Sequence, residues 1–360
     1  MSLRDLRRHA GRLAIVGFRG HTVPDDLRRI VDDFDLGGVI YFARNVIEPA
    51  QVAELSRESA ALAQDWPLWI SVDQEGGRVA RLKRPFTEWP PANTLGRSGD
   101  ENLARRFARA LAEELRAVGV NLDYAPVLDV HTNPKNPVIG DRALAEKAED
   151  VARLGAVMIE ALQEQGVMAC GKHFPGHGDT SVDSHEGLPV VDHDRRRLDA
   201  VELVPFRRAI AGGVAAIMTA HVLVPALDEH HPASLSRVIT ADLLKRDLGF
   251  TGMVLSDDMG MKAISASSSL AETSVQAIAA GCDVVLLCNS TPDEQVAALE
   301  AIIRAAESGE IPLSRLQDAE RRQHRSKSHW LAPIARAPLG LDVVGSVEHQ
   351  AVALEMAAWR

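Results

Sequence analysis

The sequence predicts an α/β chain folded as a (β/α)8 TIM barrel, a single domain with extra C-terminal helices. Two observations carry this prediction. Eight short apolar runs rich in β-branched residues follow one another along the 360-residue chain, and segments with helical spacing separate them. Strands that are apolar throughout are typical of a parallel sheet covered on both faces, and eight such units close into a barrel.

The predicted strands can be taken in chain order. They are RLAIVGF (12–18), GGVIYFA (37–43), PLWISVD (67–73), NLDYAPVLDV (121–130), VMACGKHF (167–174), AAIMTAHV (215–222), GMVLSDD (252–258) and CDVVLLC (282–288). Glycine stands just before several of them, as at Gly119, Gly166, Gly212 and Gly281. Glycine is favoured where a helix ends, so these positions support an alternation of helix and strand.

The structural alternative is a doubly wound open sheet. That fold normally has fewer strands and carries a G-x-G-x-x-G motif after its first strand, whereas the segment here reads VGFRGHTVPDD. The barrel is therefore favoured. We predict one catalytic domain over residues 1–360, in which residues 311–360 form a helical extension packed on the barrel.

Composition restricts the partners and the compartment. A net charge of −10 argues against nucleic acid, which requires a basic face. The early apolar run LAIVGF is short for a signal peptide, and no run approaches the roughly 18 apolar residues of a membrane span. The three cysteines are odd in number and lack C-x-x-C spacing, which fits a reducing compartment. We expect a cytoplasmic monomer that contacts neither membrane nor nucleic acid.

Polar residues gather where the predicted strands end. They are Asp73, Gln74, Glu75 and Arg78 after the third strand, Asp129, His131 and Asn133 at the fourth, Lys172 and His173 on the fifth, His221 on the sixth, and Asp257 and Asp258 on the seventh. The strands were placed from apolar runs alone, so this grouping is independent of their choice. Active sites of such barrels lie at the C-terminal ends of the strands. An active site is predicted there.

The segment KHFPGHGDTSVDSHEGLP (172–189) concentrates histidine and aspartate between glycines and prolines. Five of its side chains could bind a metal: His173, His177, Asp179, Asp183 and His185. Barrel metal sites usually take ligands from several strand ends, and only His173 is on a predicted strand. We therefore expect no metal and favour proton transfer, with a solvated surface Asp–His pair as the alternative.

Two carboxylate sites suggest acid–base and nucleophilic chemistry. Asp183 and His185 are two residues apart, so in an extended segment the carboxylate can orient the imidazole as a general acid or base. In VLSDDMGM (254–261), alternation directs one of Asp257 and Asp258 towards the barrel axis, where it could attack a sugar carbon. The other aspartate then forms structural hydrogen bonds or caps a helix.

Four motifs together resemble the β-N-acetylglucosaminidases of glycoside hydrolase family 3. They are KHFPGHGDTSVDSHEGLP, VDQEGGRVARL (72–82), IGDRAL (139–144) and VLSDDMGM, in matching order over about residues 12–290. The resemblance is greatest to the single-domain bacterial cytoplasmic type that recycles peptidoglycan. It implies that Asp257 is the nucleophile, His185 the general acid/base and Asp183 its partner. It also implies sugar binding by Asp73, Arg81, Arg142, Lys172 and His173.

The implied reaction is retaining hydrolysis of a terminal β-linked N-acetylglucosamine through a covalent glycosyl-aspartate. The implied partner is a small carbohydrate or muropeptide, N-acetylglucosaminyl-β-1,4-anhydro-N-acetylmuramic acid with or without its peptide. No cofactor is expected. A deprotonated histidine is neutral and does not repel an anion, so phosphorolysis by the same residues stays open.

Three further alternatives are kept. Lys172 could form a Schiff base, which normally needs an apolar pocket that lowers the lysine pKa. The chain could be a sugar-binding barrel without activity, although both Asp257 and His185 are present. A substrate-assisted hexosaminidase would cleave the same sugar without a covalent enzyme intermediate.

Overall fold

The structure, a computed structural model, describes residues 3–184, 187–265, 268–331 and 339–360. Within these ranges, eight parallel strands close into a barrel, so the predicted fold class is confirmed. In chain order, the strands of the described residues, including two outside the barrel, are β1 (Ala14–Gly17), β2 (Gly38–Tyr41), β3 (Trp69–Val72), β4 (Gln74–Gly76), β5 (Val79–Ala80), β6 (Leu122–Asp123), β7 (Met168–Phe174), β8 (Ala216–Thr219), β9 (Met253–Asp258) and β10 (Val284–Leu287). Strands β4 and β5 form a separate antiparallel hairpin, and β1 closes the barrel by pairing with both β2 and β10.

Helices surround this barrel. They are α1 (Leu3–Arg12), α2 (Asp25–Phe34), α3 (Pro49–Ala60), α4 (Asn93–Ser98), α5 (Glu101–Ala117), α6 (Ala148–Glu164), α7 (Arg195–Ala200), α8 (Leu203–Ala211), α9 (Lys262–Ser265), α10 (Leu270–Ala280), α11 (Pro292–Ser308), α12 (Leu313–Trp330) and α13 (Val347–Ala357). Short 3₁₀ turns occur at Ala43–Asn45, Gly140–Arg142, Ala233–Leu235 and Leu341–Val343, and Val238–Asp247 is π-helical. None of the helices in the described part of the chain has the length and apolarity needed to cross a membrane.

The eight predicted strands all occur, but the fourth is much shorter than predicted. Pairing with both neighbours is limited to Leu122 and Asp123, whereas the prediction ran from 121 to 130. Pro126 has no N–H to donate, and beyond it one backbone bond of 2.6 Å, from Leu128 N to Lys172 O, joins the chain to β7. The freed segment carries Asp129 to the barrel rim.

The barrel interior is filled by buried apolar side chains. Among them are Trp69 on β3, Met168 and Cys170 on β7, and Met253 and Leu255 on β9. Side chains alternate along a strand, so Ser71 follows Trp69 on the interior side, and near the C-terminal end of each of the three strands an interior position belongs to a charged residue. These residues are Asp73, Lys172 and Asp257. Alternation thus brings three charged groups together at the C-terminal end of the barrel, next to its apolar interior.

The chain after residue 311 packs on both the barrel and its helices. From α12, Gln323 Nε2 donates to Arg12 O at 2.6 Å, and Lys327 Nζ donates to Gly37 O at 2.8 Å. Helix α13 contacts α5, where His349 reaches Glu114 at 3.1 Å. Both α12 and α13 are therefore tied to the barrel or its helices by buried hydrogen bonds.

Candidate active site

Lys172 lies at the centre of a charged cluster. Its Nζ is 2.8 Å from Asp73 Oδ1 and 2.6 Å from Glu75 Oε1, and the residue is 2% exposed. Burial alone would lower the pKa of Lys172, but the two carboxylates raise it above its ordinary value. Lys172 is therefore a fixed ammonium. A Schiff base needs the opposite shift, so this alternative is not supported.

Glu75 joins Lys172 to Arg142. Its carboxylate accepts two bonds from the Arg142 guanidinium, at 2.9 and 2.8 Å, in the fork geometry that fixes both groups. Burial raises the pKa of Glu75, but Arg142 and Lys172 lower it more, so the net shift is well below the ordinary value. Arg142 ends the 3₁₀ turn Gly140–Arg142, and Glu75 lies on β4. The hairpin and this turn are thereby held together at the rim.

His173 is oriented by Asp129. Its Nδ1 lies 2.7 Å from Asp129 Oδ2, and the other carboxylate oxygen accepts the backbone N–H groups of His173 and His177, at 3.2 and 2.6 Å. Burial raises the pKa of Asp129, but His173 and these hydrogen bonds lower it overall. The ionised carboxylate holds the Nδ1 proton, which leaves Nε2 facing Arg142 Nη2 at 3.5 Å.

Arg81 lies beside Asp73, with Nη2 at 3.4 Å from Asp73 Oδ2. Its guanidinium carbon is 5.5 Å from the ring centre of Phe42. Its Nε is buried and has no hydrogen-bond partner among the described residues. Since buried polar groups are normally paired, this N–H is available to a ligand.

The two adjacent aspartates of β9 have different surroundings. Asp258 accepts from the backbone of Gly260 and Cys288, both at 3.1 Å, and from Asn289 Nδ2 at 3.0 Å. It therefore forms structural hydrogen bonds, one of the two roles expected for the aspartate that does not face the axis. Asp257 lies on the interior side, and its Oδ1 accepts from the Asp258 N–H at 2.8 Å.

Asp257 is ionised. Burial raises its pKa, but His221, His173 and Lys172 lower it, and the net shift is downward. His221 is itself held by two bonds. Its Nε2 donates to Asp258 O at 2.9 Å, so its Nδ1 accepts from the Ser234 hydroxyl at 2.6 Å, and burial lowers its pKa. A neutral, fixed imidazole thus stands beside an ionised carboxylate.

The described part of the histidine segment contains one more buried histidine. His177 lies 2.7 Å from Thr180 Oγ1 through Nδ1 and 3.3 Å from Ser184 Oγ through Nε2, and burial lowers its pKa to about 4. Across the described residues, no three His, Cys, Asp or Glu side chains are grouped to hold a metal ion. Asp183 is described, but His185 lies outside the described residues. The roles of this pair stay predictions.

All five predicted sugar-binding residues, Asp73, Arg81, Arg142, Lys172 and His173, therefore lie in one connected region, and Asp257 lies beside it. Glu75, Asp129 and His221 had no role assigned from the sequence, although their places at strand ends had marked them. Arg78, also at a strand end, instead donates at the periphery to Val138 O and to Asp141, at 3.2 Å from the latter.

Comparison with known proteins identifies the family of the chain. The model of the glycosyl hydrolase family 3 N-terminal domain matches residues 5–325. A β-hexosaminidase of Nitrosomonas eutropha is 41% identical over 284 residues, which are 77% of this chain and 81% of that protein.

Two solved structures are also similar. The family 3 β-N-acetylglucosaminidase from Paenibacillus sp. FPU-7 has a TM-score of 0.93 and 42% identity, over 100% of this chain and 69% of that chain. NagZ from Neisseria gonorrhoeae in complex with N-trifluoroacetyl-D-glucosamine has a TM-score of 0.78 and 32% identity, over 96% and 97% of the two chains. With the family match over most of its length and an ionised aspartate at the barrel mouth, the chain belongs to glycoside hydrolase family 3 and is a glycoside hydrolase.

Proposed function

We propose that the chain is a retaining exo-β-N-acetylglucosaminidase. Its substrates are peptidoglycan fragments in which N-acetylglucosamine is β-1,4-linked to anhydro-N-acetylmuramic acid, with or without peptide. The observation that carries the proposal is the ionised, partly buried Asp257 beside a cluster of mutually paired charges. Relatives named β-hexosaminidase and the N-trifluoroacetyl-D-glucosamine bound by the Neisseria protein support the sugar.

In the first step, Asp257 attacks the anomeric carbon. A C–O bond forms to the carboxylate while the glycosidic C–O bond breaks, and His185 gives its proton to the departing oxygen. Asp183 orients the imidazole of His185 and supports its protonated form. In the second step, His185 takes a proton from water, which attacks the same carbon and releases Asp257.

The charged cluster binds the sugar. Lys172, Arg142 and Arg81 donate to hydroxyl or acetamido oxygens, whereas Asp73 and the Nε2 of His173 accept. Because Glu75 and Asp129 already hold these groups in place, few dipoles need to reorganise when the substrate binds. The pairing also explains how several charges are tolerated in a buried region.

We also propose that the enzyme works in the cytoplasm. Cys170, Cys282 and Cys288 are all buried and free, as a reducing compartment allows.

The experiment is a pH series with 4-nitrophenyl N-acetyl-β-D-glucosaminide on wild type, Asp257→Ala and His185→Ala. The exposed Asp247→Ala variant serves as a matched control. We expect Asp257→Ala to abolish release, and His185→Ala to lower it by about 10²–10⁴-fold and flatten the pH profile. Full activity of Asp257→Ala would contradict the proposed nucleophile.

Two further measurements test the rest of the proposal. Mass spectrometry after a 5-fluoro sugar should show a labelled Asp257, and an unlabelled protein that still turns over would indicate substrate assistance. Digestion of N-acetylglucosaminyl-anhydro-N-acetylmuramic acid in saturating phosphate should give free N-acetylglucosamine, whereas a sugar 1-phosphate would indicate phosphorolysis.

A further inference from the structure

Asn136 joins two segments of the site without reaching the sugar-binding cluster. It is 6% exposed, and its carboxamide oxygen accepts the backbone N–H groups of Val138 and Ile139, at 2.9 and 2.8 Å. Its amide nitrogen donates to His177 O at 2.8 Å and to Thr180 Oγ1 at 3.1 Å. A primary amide has two acceptor sites and two donors, so all four are used.

One side of this amide leads to Arg142. Ile139 directly precedes the 3₁₀ turn, and its carbonyl accepts the Arg142 backbone N–H at 2.9 Å. The carbonyl of Val138 accepts from Arg142 Nη1 at 3.2 Å. Val138 and Ile139, whose N–H groups Asn136 accepts, are therefore the same two residues whose carbonyls accept from the guanidinium and backbone of Arg142.

The other side leads towards Asp183. Thr180 contacts the imidazole of His177 at 2.7 Å, and the far nitrogen of that ring is 3.3 Å from Ser184 Oγ. Ser184 follows Asp183 directly in the sequence. A chain of three polar contacts thus runs from Asn136 to the residue beside Asp183.

A buried amide could serve folding alone, but the partners of Asn136 argue for more. Each of its four bonds ends on a segment that carries a proposed functional residue, and none ends on the barrel strands. His177 and Thr180 follow Asn136 by 41 and 44 residues, so local sequence cannot set the spacing between the two segments. Catalysis is sensitive to errors of about 1 Å in such spacing.

We infer that Asn136 is a positioning residue that fixes the acid/base segment relative to Arg142, and so controls protonation of the leaving oxygen. The inference rests on the proposed function, in which Asp183 and His185 supply that proton. None of the four bonds of the Asn136 side chain ends on Asp257 or on a proposed sugar-binding residue. Loss of Asn136 should therefore impair steps that need proton transfer more than steps that do not.

The test variant is Asn136→Asp. It has the same shape and keeps an acceptor for Val138 and Ile139, but it loses both donors to the 177–180 segment. The matched control is Asn121→Asp. Asn121 bridges Ile70 N at 2.9 Å and Leu68 O at 3.2 Å, at the opposite end of the barrel.

The readout is kcat/KM for aryl N-acetyl-β-D-glucosaminides with leaving groups of different pKa. A phenol of low pKa departs without a proton. For substrates with such a leaving group, we expect Asn136→Asp to lower kcat/KM, which reports the first step, less than about 3-fold. For a phenol of pKa about 10, we expect a loss of about 10²-fold, since a well-placed acid contributes about 10²–10⁴-fold. Azide should restore the second step, because an anionic nucleophile needs no base. Asn121→Asp should show neither effect.

Thr180→Val provides a second variant that keeps the size of the side chain and removes one link of the chain. It should show the same leaving-group dependence, so the inference stays testable if Asn136→Asp does not fold. An equal loss for all leaving groups in both variants would overturn the inference. If His185→Ala itself shows no leaving-group dependence, the proposed function fails; if it does and the Asn136 and Thr180 variants do not, only this inference fails.

Discussion

Replacing Glu75 by glutamine should remove the carboxylate that joins Lys172 to Arg142 and so lower the free energy of unfolding. Glu75 is 5% exposed and makes two bonds to Arg142 and a 2.6 Å contact with Lys172. Glutamine keeps the shape but removes the charge, and its NH₂ group cannot accept from either cation. Removal of one partner of a buried ion pair costs about 3–5 kcal/mol. Asp73 still neutralises Lys172, so we expect a loss near the lower limit, about 3 kcal/mol.

The measurement is urea unfolding of Glu75→Gln at pH 7, with Glu54→Gln as the matched control. Glu54 pairs with Arg57 one helical turn away on an exposed surface, where such pairs contribute about 0.5 kcal/mol or less. The KM of Glu75→Gln should also rise at least 10-fold, because Lys172 and Arg142 lose their common support. A free energy of unfolding within 1 kcal/mol of wild type would refute the reasoning.

The pH dependence gives a second test of the same variant. The pKa of Glu75 is lowered in the folded state, so its stabilisation is present above about pH 4.3, the ordinary value. The stabilisation is lost as the pH falls below that value. The difference in unfolding free energy between wild type and Glu75→Gln should therefore shrink between about pH 4 and pH 2. A difference that is constant over this window would contradict the assigned cause.

Three other predictions follow from buried groups. Burial lowers the pKa of Lys327 to about 7, so the free energy of unfolding of the wild type should rise with pH between about 7 and 10.4. Lys327→Met should remove this rise and increase the free energy of unfolding at pH 7 by about 2 kcal/mol, because the carbonyl of Gly37 still accepts a backbone hydrogen bond. A Cβ on Gly178 would lie 1.8 Å from Val130 O, so Gly178→Ala should lower the unfolding free energy by about 1–3 kcal/mol and reduce kcat, and unchanged kinetics would contradict this packing. Burial lowers the pKa of His349, but the neighbouring glutamates raise it more, so the stabilisation from its protonated form should be present below about pH 6.5 and lost as the pH rises above that value. Hydrogen exchange of α13 should show this pH dependence in the wild type and not in His349→Gln.

The strands could be predicted because their signal is local. Each barrel strand is a short apolar run, and the alternation of side chains then assigns Asp73, Lys172 and Asp257 to the interior. The length of the fourth strand was wrong because it is decided by pairing with two neighbours and by Pro126, which no apolar pattern reports. Helix α1 and the β4–β5 hairpin were not predicted, since each is decided by packing or by a turn rather than by a long periodic run.

The partners within the site could not be predicted for a different reason. Glu75 and Arg142 are 67 residues apart, and Lys172 and Asp73 are 99 apart. A sequence can mark such residues as polar and near the rim, but the choice among several carboxylates depends on three-dimensional distances. Asn136 carried no signal beyond its place before a proline, because its function lies in backbone contacts.

The surroundings of the buried histidines strengthen the proposal for proton transfer. His177 and His221 have both ring nitrogens in hydrogen-bond contact, and burial lowers the pKa of each. His173 has one nitrogen on Asp129 and the other facing the Arg142 guanidinium. A general acid must gain and lose a proton near working pH and present it to the substrate. Both ring nitrogens of His177 and of His221 are already engaged, and the proposal uses Nε2 of His173 to accept from the sugar. The proposal therefore assigns the role to a group outside this fixed cluster, namely His185, which follows Asp183 by two residues in the sequence.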